Sequence, residues 1–123
     1  MSPLARSLAG EQLLFDFSTL IPELREDHSY PRSGRAGRTL VKSGALRLTL
    51  TVMADDVEVG THHAETPMTL QVLEGGLSYR VGTEVHKLTE GELLFFGPGH
   101  AQDIRSVGDT ALLLTITGDG AEG

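Results

Sequence analysis

Five histidines carry most of the catalytic potential of this 123-residue chain, because it contains no cysteine. Three of them, His62, His63 and His100, lie near the ends of predicted strands. Imidazole titrates near neutral pH and is the commonest protein ligand for metals. The lack of thiols excludes cysteine nucleophiles, iron–sulfur clusters and cysteine zinc sites, so a metal would need His, carboxylate or amide ligands. These three histidines are therefore the first candidates for chemistry.

The direction in which His62 and His63 point is left open by the sequence. Neighbouring residues on a strand face opposite sides, so only one of the two can face a barrel interior unless the backbone bulges. Pro67 interrupts the count back from the predicted buried positions Met68 and Leu70. Either histidine can therefore be the inward one.

The elements that must position these side chains are predicted to be short strands. Leu46, Leu48, Leu50 and Val52 alternate with other residues, which is typical of a strand with one buried face. Apolar alternation of this kind predicts strands at 46–53, 68–73, 77–81, 85–88, 92–96, 101–107 and 111–117. Glycines such as those at 75, 76 and 108 fall in the predicted turns between them. No long helical segment separates the strands, so an all-β sandwich or barrel is expected.

The amino-terminal part has a different pattern. Leu20, Ile21 and Leu24 share one helical face, which predicts one short helix over about residues 19–27, with Ser18 or Thr19 as its cap. Residues 28–37 contain Pro and Gly and are predicted to form a loop. The expected organisation is an amino-terminal lead over 1–37, a barrel domain over 38–117 and a frayed tail over 118–123.

The composition of the chain limits which partners it can bind and where in the cell it is expected. The chain carries 10 basic and 17 acidic side chains, a net charge of −7, which disfavours binding to nucleic acid. Its basic cluster is the one candidate footprint for an anion in the sequence, although a solvated face that lies partly on strands is the favoured interpretation; the members are Arg32, Arg35, Arg38, Lys42 and Arg47. No apolar run is long enough for a membrane helix, and residues 1–12 lack the features of a signal peptide. A soluble cytoplasmic protein without nucleic-acid or membrane partners is expected.

Two segments resemble the two sequence motifs of the cupin family. They are GTHHAETPMTLQVLEG at 60–75 and GELLFFGPGHAQ at 91–102, and the resemblance extends over roughly residues 38–117. It implies a double-stranded β-helix, the cupin jelly-roll barrel. That family includes dioxygenases, isomerases, storage proteins and ligand sensors, so the barrel alone does not identify the activity.

The metal centre of that family, which has three His and one Glu, is substituted in this chain. Alignment on the glycines that end the first motif and begin the second places Thr61, His63, Met68 and Gln102 at the four ligand positions. Only His63 keeps a ligand of the expected type, although a bulge would bring His62 or His100 into the site. The metal candidates are therefore His63, His62, His100 and Gln102. A divalent metal stays open as a cofactor, against the alternative that His63 is an interior histidine hydrogen-bonded to Gln102.

The cupin register also implies a ligand pocket inside the barrel. Its lining would be mostly apolar, with a few polar groups, as in small-molecule sites. The implied lining residues are Thr61, His63, Met68, Leu70, Tyr79, Gln102 and Ile104. Two functions follow: a barrel that binds a small-molecule ligand without a strong catalytic metal centre, or a metal-dependent cupin enzyme, an oxygenase or isomerase, acting on a small polar metabolite. A homodimer is expected in either case, because exposed sheet edges need to be covered.

Overall fold

A computed structural model of the chain describes residues 12–59, 67–97 and 102–117. Within these ranges the chain forms α1 (Phe17–Arg25), α2 (Ser29–Ser33), β1 (Arg35–Ser43), β2 (Leu46–Met53), β3 (Met68–Val81), β4 (Glu84–Thr89), β5 (Leu93–Phe96) and β6 (Gln102–Ile116). The strands pair antiparallel in the order β1-β2-β6-β3-β4, and β5 pairs with β3. The all-β prediction is confirmed. Neither described helix has the length and apolar character needed to cross a membrane.

Helix α1 begins earlier than expected because Asp16 caps it. The Asp16 carboxylate accepts hydrogen bonds from the backbone N–H of Ser18 at 3.0 Å, from the Ser18 hydroxyl at 2.6 Å and from the Thr19 hydroxyl at 3.2 Å. These bonds, led by the one from the Ser18 hydroxyl, hold the pKa of Asp16 below its ordinary value. The predicted start near residue 19 and the cap at Ser18 or Thr19 are therefore wrong, because both hydroxyls are donors to the true cap.

A second helix replaces part of the loop predicted over 28–37. The Asp27 carboxylate accepts the backbone N–H of Ser29 at 2.9 Å, and Pro31 fits the first helical turn. Gly34, with a φ of 79°, ends the helix, and its N–H donates to the carbonyl of Tyr30 at 2.8 Å. Pro31, which indicated a loop, thus lies inside a short helix that Gly34 ends, and β1 begins at Arg35 rather than at 38.

The sheet buries apolar side chains on both faces. We call one set the helix-side core, which lies between α1 and the sheet; its buried members are Leu20, Ile21, Leu24, Ala36, Leu40, Leu50, Val52 and Ala111. We call the other set the barrel-interior core; its buried members are Met53, Leu70, Val72, Leu77, Leu88, Ile104 and Leu112. The sheet therefore separates two packed layers.

Strand β2 contributes to both cores, where the sequence pattern predicted a single buried face. Leu50 and Val52 are fully buried under α1, but Leu46 on the same face is 38 % exposed because it lies at the strand end. The opposite face, with Thr49, Thr51 and Met53, is directed into the barrel. The leucine face is thus the outer one, because α1 covers it.

Strands β3 and β6 are long and continue through glycines that were expected in turns. Their pairing shifts register around Gly75, which has a φ of 79°, and Gly108 in β6 has a φ of 74°. A Cβ at Gly75 would collide with the carbonyl oxygen of Asp109. These glycines allow bulges and a close crossing of the two strands. The strands predicted separately at 68–73 and 77–81 are therefore one strand, β3, and those predicted at 101–107 and 111–117 are one strand, β6.

Candidate functional site

A cavity of about 140 Å³ lies between β1, β2, β3 and β6. Its lining combines a guanidinium group, two hydroxyl groups and an apolar majority. The lining residues are Arg35, Thr49, Thr51, Met53, Val59, Leu70, Leu112 and Leu114.

The strand register explains why these residues share one face. Thr49 and Thr51 of β2 lie opposite Leu114 and Leu112 of β6, and Leu114 lies opposite Leu70 of β3. Cross-strand partners in an antiparallel sheet point to the same side. Alternate residues in these parts of β2, β3 and β6 therefore face the cavity, and these residues together form its wall.

The polar groups of the lining are concentrated on β1 and β2. The guanidinium of Arg35 donates from Nη1 to the backbone carbonyl of Glu58 at 2.9 Å. Thr49 and Thr51 are half-buried, and within the described part of the chain neither hydroxyl has a hydrogen-bond partner. The cavity therefore offers hydrogen-bond donors at one side and apolar surface elsewhere.

The segment that follows β2 is fixed across the barrel by β6. The hydroxyl of Ser106 accepts the backbone N–H of Val57 at 2.9 Å and donates to the carbonyl of Ala54. The backbone N–H of Val59 donates to the carbonyl of Ile104 at 2.7 Å. These bonds hold Val59 in the cavity wall.

The predicted pocket residues are only partly brought together among the described residues. Leu70 lines the cavity, whereas Ile104 and Tyr79 belong to the barrel-interior core without lining it. Met68 is buried near the start of β3 and is also outside the lining. Gln102 begins β6 and pairs with Arg80. Thr61 and His63 lie outside the described residues, as do His62 and His100.

Tyr79 contacts a histidine to which the sequence assigned no role. Its ring stacks on that of His86, directly opposite on β4, with centroids 5.2 Å apart and an interplanar angle of 23°. His86 is exposed and lies 3.6 Å from a carboxylate oxygen of Glu84. This contact stabilises the hairpin between β3 and β4.

Sequence reasoning missed most of the cavity lining. The missed residues are Arg35, Thr49, Thr51, Met53, Val59, Leu112 and Leu114. The threonine face of β2 was detectable as the alternate of the leucine face, but nothing in the sequence indicated that α1 would cover the leucines. Arg35 was noted only as one member of a basic cluster.

Met68, the aligned metal position whose side chain the structure describes, does not fit the metal centre of the cupin family. Met68 stands where that family has Glu, and it is only 4 % exposed. A thioether cannot replace a carboxylate as a hard ligand for a divalent first-row metal. Within 12–59, 67–97 and 102–117, no group of three or more His, Asp or Glu side chains is placed to hold a metal ion.

Comparison with known proteins identifies the fold through solved structures. No protein-family model and no curated protein matches the chain. A cupin superfamily protein from Desulfitobacterium hafniense is similar, with a TM-score of 0.63 and 16 % identity, over 69 % of this chain and 78 % of that one. A cupin-2 domain protein from Shewanella frigidimarina has a TM-score of 0.64 and 14 % identity, over 85 % and 95 %.

A point mutant of salicylate 1,2-dioxygenase from Pseudoaminobacter salicylatoxidans shares the same architecture. Its TM-score is 0.69 at 15 % identity, over 84 % of this chain but only 34 % of the dioxygenase. At these identities the similarity concerns the fold. The chain has the cupin jelly-roll fold, as its motifs implied.

Proposed function

We propose that this chain binds a small-molecule ligand in its barrel cavity without a catalytic metal. The composition of the cavity carries the proposal, because five of its eight described lining residues are apolar and the other three are Arg35, Thr49 and Thr51. Sites for small organic molecules combine apolar walls, which supply affinity, with a few polar groups, which orient the ligand.

The size of the cavity limits the ligand. A volume of about 140 Å³ is below the range of roughly 300–1,000 Å³ typical of drug-sized sites. It is close to an engineered apolar cavity of about 150 Å³ that binds benzene. The expected ligand therefore has an apolar body of about six carbon atoms.

The side chains of the described lining favour binding over turnover. The eight are Arg, Thr, Met, Val and Leu residues, and none is a His, Asp, Glu, Lys, Tyr or Cys, the usual general acids and bases. General acid–base catalysis needs a group that gains and loses a proton near the working pH. The cavity supplies contacts and hydrogen bonds but, from these residues, no proton acceptor.

The test is a ligand screen on protein stripped of metal with a chelator and checked by elemental analysis. NMR titration would use neutral and charged compounds with small apolar bodies, on wild type, Thr51→Phe and Thr69→Phe. Thr51→Phe places a ring in the cavity, whereas Thr69 lies on the opposite face of the sheet beside Phe95. At least one compound should bind, and Thr51→Phe should weaken it about 10-fold or more while Thr69→Phe leaves it unchanged.

Two outcomes would overturn this proposal. One is the absence of binding by every compound in the screen. The other is binding that requires a stoichiometric metal and disappears in His63→Ala, which would support the metal-dependent alternative instead.

A further inference from the structure

Among the described residues that line the cavity, Arg35 is the charged one, and the strand register explains its position. Arg35 is the first residue of β1 and lies directly opposite Met53 of β2, so both side chains are on the barrel-interior face. The neighbouring Ala36 points the other way and is buried in the helix-side core. Arg35 is itself exposed to solvent, and it lines a cavity whose other described residues are mostly apolar.

Arg35 differs from most other described arginines in its partners. Four arginines lie between 2.8 and 3.8 Å from a carboxylate oxygen; they are Arg25, Arg38, Arg80 and Arg105. Arg35 makes one hydrogen bond to a neutral carbonyl, that of Glu58, and has no carboxylate partner among the described residues. A guanidinium has five N–H donors, so most of its hydrogen-bonding capacity is available to a ligand.

The charge of the lining is opposite to that of the whole chain. The chain carries a net charge of −7, yet none of the described residues that line the cavity is acidic. An anion that approached the protein at random would be repelled on average, whereas the charged group that the described lining presents to it is the Arg35 guanidinium. This contrast favours an anionic ligand at this position.

The threonine hydroxyls extend the donor group along β2, and Gly37 leaves room beside one of them. Gly37 lies opposite Thr51, and a Cβ at that glycine would be 3.3 Å from Thr51 Oγ1. The absence of this carbon keeps the hydroxyl accessible from the cavity side. The hydroxyl of Thr51, two residues along β2 from Met53, is therefore the lining hydroxyl nearer in register to an anion bound by Arg35.

From this arrangement we infer that the ligand is a small carboxylate with an apolar body, bound with its carboxylate at Arg35 and its body against Leu70, Leu112 and Leu114. The inference rests on the proposed function and adds the chemical class of the ligand. Arginine binds planar carboxylates through two parallel hydrogen bonds, and the apolar walls exclude anions that have no hydrocarbon part. Inorganic phosphate would complement the charge of Arg35, but it has no hydrocarbon part to pack against the apolar side chains.

The test compares benzoate, its neutral analogue benzamide and inorganic phosphate by NMR titration of the full chain. Benzoate should bind more tightly than benzamide and phosphate by about 10-fold or more, since charge-assisted bonds are stronger than neutral ones. Arg35→Gln should remove this preference, and Arg35→Lys should keep part of it. Arg32→Gln is the matched control, because it removes the same charge from the exposed surface of α2.

The outcomes separate this inference from the proposed function. Equal binding of benzamide and benzoate, or an unchanged preference in Arg35→Gln, would overturn the carboxylate assignment while a bound ligand still supports the proposed function. Tighter binding of phosphate than of benzoate would overturn the inference that the ligand has an apolar body. If none of the three binds, the inference fails and the proposed function is decided by its own wider screen.

Discussion

Gly75 lies where β3 crosses closest to β6. The neighbouring Thr110 is fully buried, and its hydroxyl donates to the carbonyl of Gly76 at 3.0 Å. A Cβ at Gly75 would collide with the carbonyl of Asp109 and lie 2.7 Å from Thr110 Oγ1. The contact is with backbone, which cannot move aside as a flexible side chain can. This position therefore requires glycine for both its φ and its space.

We expect Gly75→Ala to destabilise the protein more than Gly82→Ala. Both glycines have positive φ, of 79° and 62°, but a Cβ at Gly82 meets no atom within 4 Å. Gly82→Ala should cost about 1–2 kcal/mol of unfolding free energy from the backbone conformation alone. Gly75→Ala should cost about 1–3 kcal/mol more because β6 must shift. Urea unfolding measures both, and equal losses would contradict the close crossing.

The cavity residues show how far single positions could be predicted. Leu70 was predicted in the lining because it belongs to a motif strand with clear alternation. Arg35 was not, because a basic residue inside a predicted loop gives no signal of the face on which it lies. Its role depends on pairing with Met53, a contact between strands that the sequence does not display.

At the scale of elements, α1 determines which face of β2 is the barrel interior. Leu24 of α1 is 1 % exposed and packs in the helix-side core with Leu50 and Val52 of β2. Arg25 adds an ion pair with Glu74 of β3 at 3.0 Å. Without the helix, the leucine face of β2 would be exposed to water. The helix therefore lets the less apolar threonine face line the cavity.

We expect Leu24→Ala to lower the unfolding free energy by about 2–5 kcal/mol, as for other fully buried leucines. Leu14→Ala is the matched control, since Leu14 is 85 % exposed, and its effect should be within about 0.5 kcal/mol. Urea unfolding followed by circular dichroism measures both. Similar losses for the two variants would show that α1 does not depend on the helix-side core.

The elements themselves were predicted unevenly. Alternation located the strands, because their side chains meet different surroundings on the two faces. It failed at Gly75 and Gly108, since a glycine in a bulge and a glycine in a turn have the same sequence signal. It also assigned one buried face to β2, because the sequence pattern does not show that a helix from outside the barrel domain covers the sheet.

On the scale of the molecule, the helix-side core and the barrel-interior core of the described residues share their central strands. Adjacent residues of β6, Ala111 and Leu112, are buried in the helix-side and barrel-interior cores respectively. Strand β2 divides in the same way between Val52 and Met53. If one core were lost, one face of β2 and β6 would be exposed to water, although the other core still needs these strands in place. The two cores should therefore unfold together.

The chain provides a natural probe of each core. It has two tyrosines and no tryptophan; Tyr30 packs against the helix-side core and Tyr79 against the barrel-interior core. Tyr79→Phe therefore leaves a fluorescence signal from the first core, and Tyr30→Phe leaves one from the second. In each variant, the urea transition measured by tyrosine fluorescence should coincide with that measured by circular dichroism, as in a two-state transition. If, in either variant, the fluorescence transition had its midpoint at a lower urea concentration than the circular dichroism transition, the shared strands would not couple the two cores.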